Sequence, residues 1–243
     1  MGMPRGGRSF RLALLVLAGV VTACGPESFT EPPAPPHEPS PDPSPYYSDT
    51  ELQAFNTLVF SGNGVARLRK WDGPIRIRLA GSPTRADSDA VIEVARQLSA
   101  AFRTIPVSVA DGNANVEVMF MPDSAFRNLA GGRCAPPGGV WGMSCPTWDA
   151  TWRYTGVSTY ITSLRNDQAR RYLAFHELMH MAGFYDHLSA LASVLTRPEI
   201  LSYQTFQPLD LTLFEMMGRP ELKPGMLGDE AMGILRDLPR LGQ

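Results

Sequence analysis

The sequence predicts an α+β domain over residues 49–243. Three observations carry this prediction. Three short segments alternate apolar and polar residues with the period of half-buried strands. Longer segments repeat apolar residues at helical spacing. The segments run in the order strand, helix, strands, helix, ending in a helical C-terminal part. Roughly 195 residues suffice for one domain with a real core.

The elements follow in order. Asp49 to Phe60 has helical spacing, with Leu52, Phe55, Leu58 and Val59 on one side. Ser61-Gly62-Asn63-Gly64 reads as a turn. After Trp71-Asp72-Gly73-Pro74, Ile75 to Leu79 alternates isoleucine with arginine and predicts a half-buried strand. Asp87 to Phe102 predicts an amphipathic helix, with Ala90, Val91, Val94, Ala95 and Leu98 on its apolar face. Asn115 to Met121 predicts a second strand. Residues 130–148 are rich in Gly, Pro and Cys and predict an irregular loop. Gly156 to Thr162 predicts a third strand whose edge lines the cleft. Asn166-Asp167 then caps a helix running to Ala182, and Gly183 ends it. A short helix over Leu209 to Met217 closes the core.

The N-terminus differs in kind. Arg5, Arg8 and Arg11 form a positive region without acids, and Leu12 to Val21 is an apolar run. That run is too short for the ~20-residue helix that spans a bilayer, so residues 1–23 read as a secretory signal. Val21-Thr22-Ala23-Cys24 resembles the bacterial lipobox. The resemblance implies cleavage before Cys24, lipidation of its thiol and anchoring to a membrane of the bacterial cell envelope, facing periplasm or exterior. Residues 24–48 are then a spacer, with nine prolines between Gly25 and Ser48 favouring extended polyproline II. His37 within it is expected to be solvated. Two cysteines remain, Cys134 and Cys145. In an oxidising compartment they are expected to pair, for about 3 kcal/mol of stabilisation.

The formal charge is −2. No basic block suggests nucleic acid. No internal repeat is present, and the chain is expected to act as a monomer.

Chemistry concentrates in Tyr172-Leu-Ala-Phe-His-Glu-Leu-Met-His-Met-Ala-Gly-Phe-Tyr-Asp-His187, which holds three of the four histidines. His176 and His180 are four apart on a predicted helix, so both imidazoles project from one face. They can reach one small cation at about 2.0–2.1 Å. Glu177 points slightly aside and can reach a metal-bound water as general base. Gly183 can adopt a left-handed conformation and turn the chain back toward the metal. Either Asp186 or His187 could then supply a third ligand. Tyr185 and Tyr203 flank the site as candidate oxyanion donors.

Together, His176, Glu177, His180, Gly183 and Asp186 form H-E-x-x-H-x-x-G-x-x-D. This resembles the zinc-binding motif of the metzincin metalloproteases, and within them is most similar to snapalysin, a small secreted bacterial protease. The resemblance covers little more than Phe175 to His187. It implies one Zn2+ per chain held by His176, His180 and Asp186, with Glu177 as base and a peptide or protein as substrate. It also implies a zincin-like single domain, a small mixed sheet packed on the helix that carries the motif. Metzincins have a methionine turn after the third ligand; the nearest equivalent here is Ser193-Val194-Leu195, with Leu195 at the methionine position.

A second resemblance covers more of the chain. Trp71 to Ile77, Pro208-Leu209-Asp210 and Leu222 to Met226 look like a family of bacterial envelope proteins of unknown function whose zincin-like region is often degenerate. The expected activity is that of a lipid-anchored zinc endopeptidase. The competing readings are a zinc-bearing envelope lipoprotein without hydrolysis, which would have no use for Glu177, and a metal-free adhesion or assembly module.

Overall fold

Five strands form one mixed sheet in the order β2-β1-β3-β5-β4. They are β1 (Ile75–Gly81), β2 (Val107–Val109), β3 (Val116–Met121), β4 (Gly142–Trp148) and β5 (Tyr154–Thr162). The computed structural model describes residues 44–61, 67–129, 140–197 and 201–241. The signal segment, Cys24, His37, most of the proline-rich spacer and Cys134 lie outside the described residues.

Strands β2, β1, β3 and β5 are parallel neighbours, and β4 joins β5 antiparallel. The expected alternation is visible in β1, where Ile75 and Ile77 are buried while Arg78 reaches out to an ion pair with Glu117 on β3. Residues 142–148 correct the sequence reading, which made them part of an irregular loop. Their composition, Gly-Met-Ser-Cys-Pro-Thr-Trp, is poor in strand formers. An edge position tolerates this, and Pro146 in particular is admissible only there. The edge beside the cleft is therefore β4, and β5 is internal.

Among the described residues, six α-helices accompany the sheet: α1 (Asp49–Asn56), α2 (Arg85–Phe102), α3 (Asp123–Arg127), α4 (Asp167–Ala182), α5 (Pro208–Gly218) and α6 (Gly228–Asp237). Their starts have local causes. Ser48 and Thr84 cap α1 and α2 in capping boxes with Glu51 and Asp87, and Asn166 caps α4 by accepting from the Ala169 N–H at 2.9 Å. Helix α1 continues into a π turn over Thr57–Ser61. Folded contacts begin before position 49: Tyr47 is buried and its hydroxyl donates to Glu215 at 2.9 Å.

Helix α4 is the centre of the packing. It lies against β4 and β5 on one side and α2 on another. Most of it is buried, including the polar side chains of Arg170, His176 and Glu177. Arg170 is matched by the buried Asp87 of α2 at 2.9 Å. At the other end, Trp71 Nε1 donates to the Met181 carbonyl at 3.0 Å. Beneath the helix runs a chain of edge-to-face rings, Phe175–Phe206–Phe214–Phe184–Phe55, with centroids 4.7–6.1 Å apart. Burying each such ring stabilises the fold by about 1.5–3 kcal/mol. The helix that carries the histidines therefore rests on a stiff floor.

Candidate metal centre

Helix α4 ends where the sequence predicts. Gly183 takes φ +121° and its N–H donates to the His180 carbonyl at 3.0 Å. A side chain there would strain the backbone and approach Met217 and the Arg69 carbonyl. The chain then turns back. The amides of Tyr185 and Asp186 both donate to the Leu58 carbonyl in the π turn, at 2.6 and 3.2 Å. This fixes the segment between His180 and His187.

The result is three imidazoles around one point. His176 Nε2 lies 3.2 Å from His180 Nε2 and 3.3 Å from His187 Nε2. One donor atom from each ring falls within 4.8 Å of the others. The outer nitrogens of two rings are engaged elsewhere. His176 Nδ1 is 2.8 Å from the Val194 carbonyl, and His180 Nδ1 is 2.6 Å from the Phe184 carbonyl. Carbonyls only accept, so each Nδ1 carries the proton and each Nε2 presents a lone pair inward. Lone pairs facing each other at this distance repel unless a cation sits among them. The donor set fits a small divalent ion that prefers nitrogen, and the Nδ1 bonds are the outer-shell contacts that fix tautomer and ring orientation.

Electrostatics agree. Burial, with the neighbouring imidazoles, holds His176 well below its ordinary value. Burial also holds His180 at about 4 and His187 at about 3. At neutral pH all three are unprotonated, the form that binds metal.

Asp186, the third ligand implied by the resemblance to snapalysin, is not in this group. Its Oδ1 accepts from the His187 N–H at 2.8 Å. His187 follows one residue later on a longer side chain, and its ring reaches the place where the other two converge.

Glu177 is buried against the floor of the same cleft. Its Oε2 has no hydrogen-bond partner among the described residues, and burial pushes its carboxyl up to about 8. The side chain fits because position 142 of β4 is glycine; a Cβ there would lie 2.5 Å from Oε1. Ser144, also on β4, donates to the Glu177 backbone carbonyl at 2.7 Å. The edge strand is thus bonded to the helix beside the histidines.

The cleft between them encloses about 430 Å³. Trp141, Met143 and Pro146 give it an apolar wall, and the three histidines, Glu177 and Arg197 give it a polar floor and rim. Tyr185 lines it, but its hydroxyl is buried, with the Arg69 guanidinium 5.3 Å from its ring. Tyr203 is not among the lining residues. Leu195 is fully buried in the segment that supplies the Val194 carbonyl. Cys145 sits in β4 and is disulfide-bonded. Gly142, Ser144 and Arg197 were missed in the sequence; only the unusual composition of 142–148 marked the first two.

The family DUF2927, described as a protein of unknown function, matches residues 49–237. The chain belongs to this family. The DUF2927 match includes all three histidines and Glu177, as well as Trp71 and Asp210 from the motifs singled out in the sequence. No curated protein matches the chain.

Proposed function

We propose that this DUF2927 protein is a zinc-dependent peptidase of the bacterial cell envelope, anchored by a lipid on Cys24. The observation that carries the reading is the convergence of three imidazoles, two of them with Nε2 lone pairs turned inward, beside a buried carboxyl on the floor of a cleft. His176, His180 and His187 would hold the ion, with Asp186 the alternative third ligand from the snapalysin resemblance. A zinc ion held this way would act as a Lewis acid and lower the pKa of a bound water to about 7.

The remaining chemistry belongs to side chains. Glu177 would serve as the general base, taking a proton and returning it to the departing amine. Burial raises its pKa, and a cation beside it would draw it back toward the ionised form that a base needs. The outer edge of β4, unpaired among the described residues, would offer main-chain groups to an extended peptide, and Trp141, Met143 and Pro146 an apolar surface for its side chains. The second reading, a zinc-binding envelope lipoprotein without hydrolysis, has the same donor set in its favour but leaves the buried Glu177 carboxyl, whose Oε2 has no partner among the described residues, without a use.

The test is metal content by plasma mass spectrometry on the whole chain, purified from the periplasm without a tag histidine. One zinc per chain, lost in His180→Ala, is expected. Cleavage of casein that disappears in Glu177→Ala while zinc is retained then supports the peptidase. A wild type that stays metal-free after zinc is added and the excess removed defeats both readings.

A further inference from the structure

We propose that Asp210 is a positioning residue of the histidine site, orienting His176 and His187 through the backbone of residues 188–197. The inference rests on the metal reading above and adds a part to it. Asp210 belongs to the Pro208-Leu209-Asp210 motif, to which the site itself assigns no role.

Asp210 is fully buried in the first turn of α5. Its Oδ2 accepts from the Gln207 N–H at 2.8 Å, an ordinary capping contact. The same oxygen accepts from the Val194 N–H at 3.1 Å, which no helix requires. Val194 is fully buried, and its carbonyl is the acceptor for His176 Nδ1 at 2.8 Å and for the Tyr172 hydroxyl at 3.1 Å. One residue thus has its amide held by Asp210 and its carbonyl holding a candidate ligand.

The same segment reaches His187. The Leu188 N–H donates to the Leu195 carbonyl at 2.9 Å, and the Arg197 N–H donates back to the Leu188 carbonyl at 2.8 Å. Leu188 follows His187 directly. Releasing Val194 from Asp210 therefore loosens the frame of two rings while leaving every ligand in place. Losing an outer-shell partner of this kind typically costs about 10–100-fold in metal affinity.

Asp87 provides the control. It occupies the same capping position in α2 and is also buried, but it is bonded to Thr84 and Arg170 instead of to the 188–197 segment. The experiment titrates Zn2+ into the metal-stripped whole chain against a chromophoric chelator, and records Co2+ absorption bands, for wild type, Asp210→Asn and Asp87→Asn. Asp210→Asn is expected to bind zinc about 10–100-fold more weakly with shifted cobalt bands. Asp87→Asn is expected to lose thermal stability while keeping the wild-type affinity and spectrum. Wild-type zinc affinity and cobalt bands in Asp210→Asn would reduce Asp210 to a helix cap and overturn the proposal. A wild type that binds neither metal overturns the underlying reading instead.

Should Asp210→Asn not fold, the wild type answers by reciprocity. Zinc should slow amide hydrogen exchange at Gln207 and Val194 more than at Thr84, whose N–H donates to Asp87 at 2.8 Å. Equal slowing at all three amides overturns the proposal.

Discussion

Gly142 on the edge strand and Glu177 on α4 share space that only a glycine leaves open. A Cβ at position 142 would lie 2.5 Å from Glu177 Oε1 and 2.7 Å from its Cγ. Gly142→Ala must therefore move the carboxyl without touching the histidines. Losing a well-placed general base costs about 10²–10⁴-fold in rate. We expect casein cleavage to fall by at least about 100-fold, with zinc content unchanged. Unchanged cleavage in a folded, zinc-loaded Gly142→Ala would remove Glu177 from the reaction.

The third ligand separates geometry from resemblance. His187→Ala should weaken zinc binding by about 100-fold or more, because two histidines alone cannot complete the site. Asp186→Asn, which alters only the neighbouring carboxylate, should stay within about tenfold of wild type. Isothermal titration of both variants decides; the reverse ranking would restore Asp186 as the ligand.

The buried carboxyl predicts a pH dependence with a definite sign. In the metal-free protein Glu177 titrates at about 8, against 4.5 for its unperturbed group. Between those values the folded state holds a proton that the unfolded chain has released, so this contribution to stability falls as pH rises. Glu177→Gln lacks the term. Its urea midpoint, measured with chelator present, should gain on the wild type between pH 4.5 and 8, by an amount equivalent to several kcal/mol. A constant difference across that range would show that the carboxyl is solvated.

Asp87 and Arg170 tie α2 to α4 at 2.9 Å with both side chains buried. Arg170→Ala leaves Asp87 buried and without its counter-charge. Breaking such a pair costs about 3–5 kcal/mol. Urea unfolding should reveal this loss, and the double variant Asp87→Asn/Arg170→Ala should recover part of it.

Much of this was legible from sequence, and the failures have causes. Helix α2 could be placed by its apolar spacing, two residues short of the start that the Thr84 cap sets, and α4 because its cap Asn166 and its terminator Gly183 are local signals. The isoleucine–arginine alternation of β1 is equally local. Strand β4 was missed because its stabilisation comes from pairing with β5 and from Ser144 bonding to α4, contacts that Gly-Met-Ser-Cys-Pro-Thr-Trp does not advertise. Strand β2 is three residues long and carries too little pattern to read. The motif singled out His176, Glu177 and His180, which line one cleft. It could not choose between Asp186 and His187, because that choice depends on how the Leu58 carbonyl and the 188–197 segment hold the chain after Gly183.

The Leu58 contact has one more implication. Among the described residues, the backbone acceptor for two successive amides between His180 and His187 lies in the turn that ends the amino-terminal helix. That helix is part of the scaffold for the ligand spacing, not an appendage between tether and domain. A truncation that begins beyond Ser61 would leave His176, His180 and His187 in the chain and still lose their register. A pull on the chain before Ser48 would first load the contacts of Pro45, Tyr46 and Tyr47 with the C-terminal segment and α5, and only then that helix and its pair of hydrogen bonds.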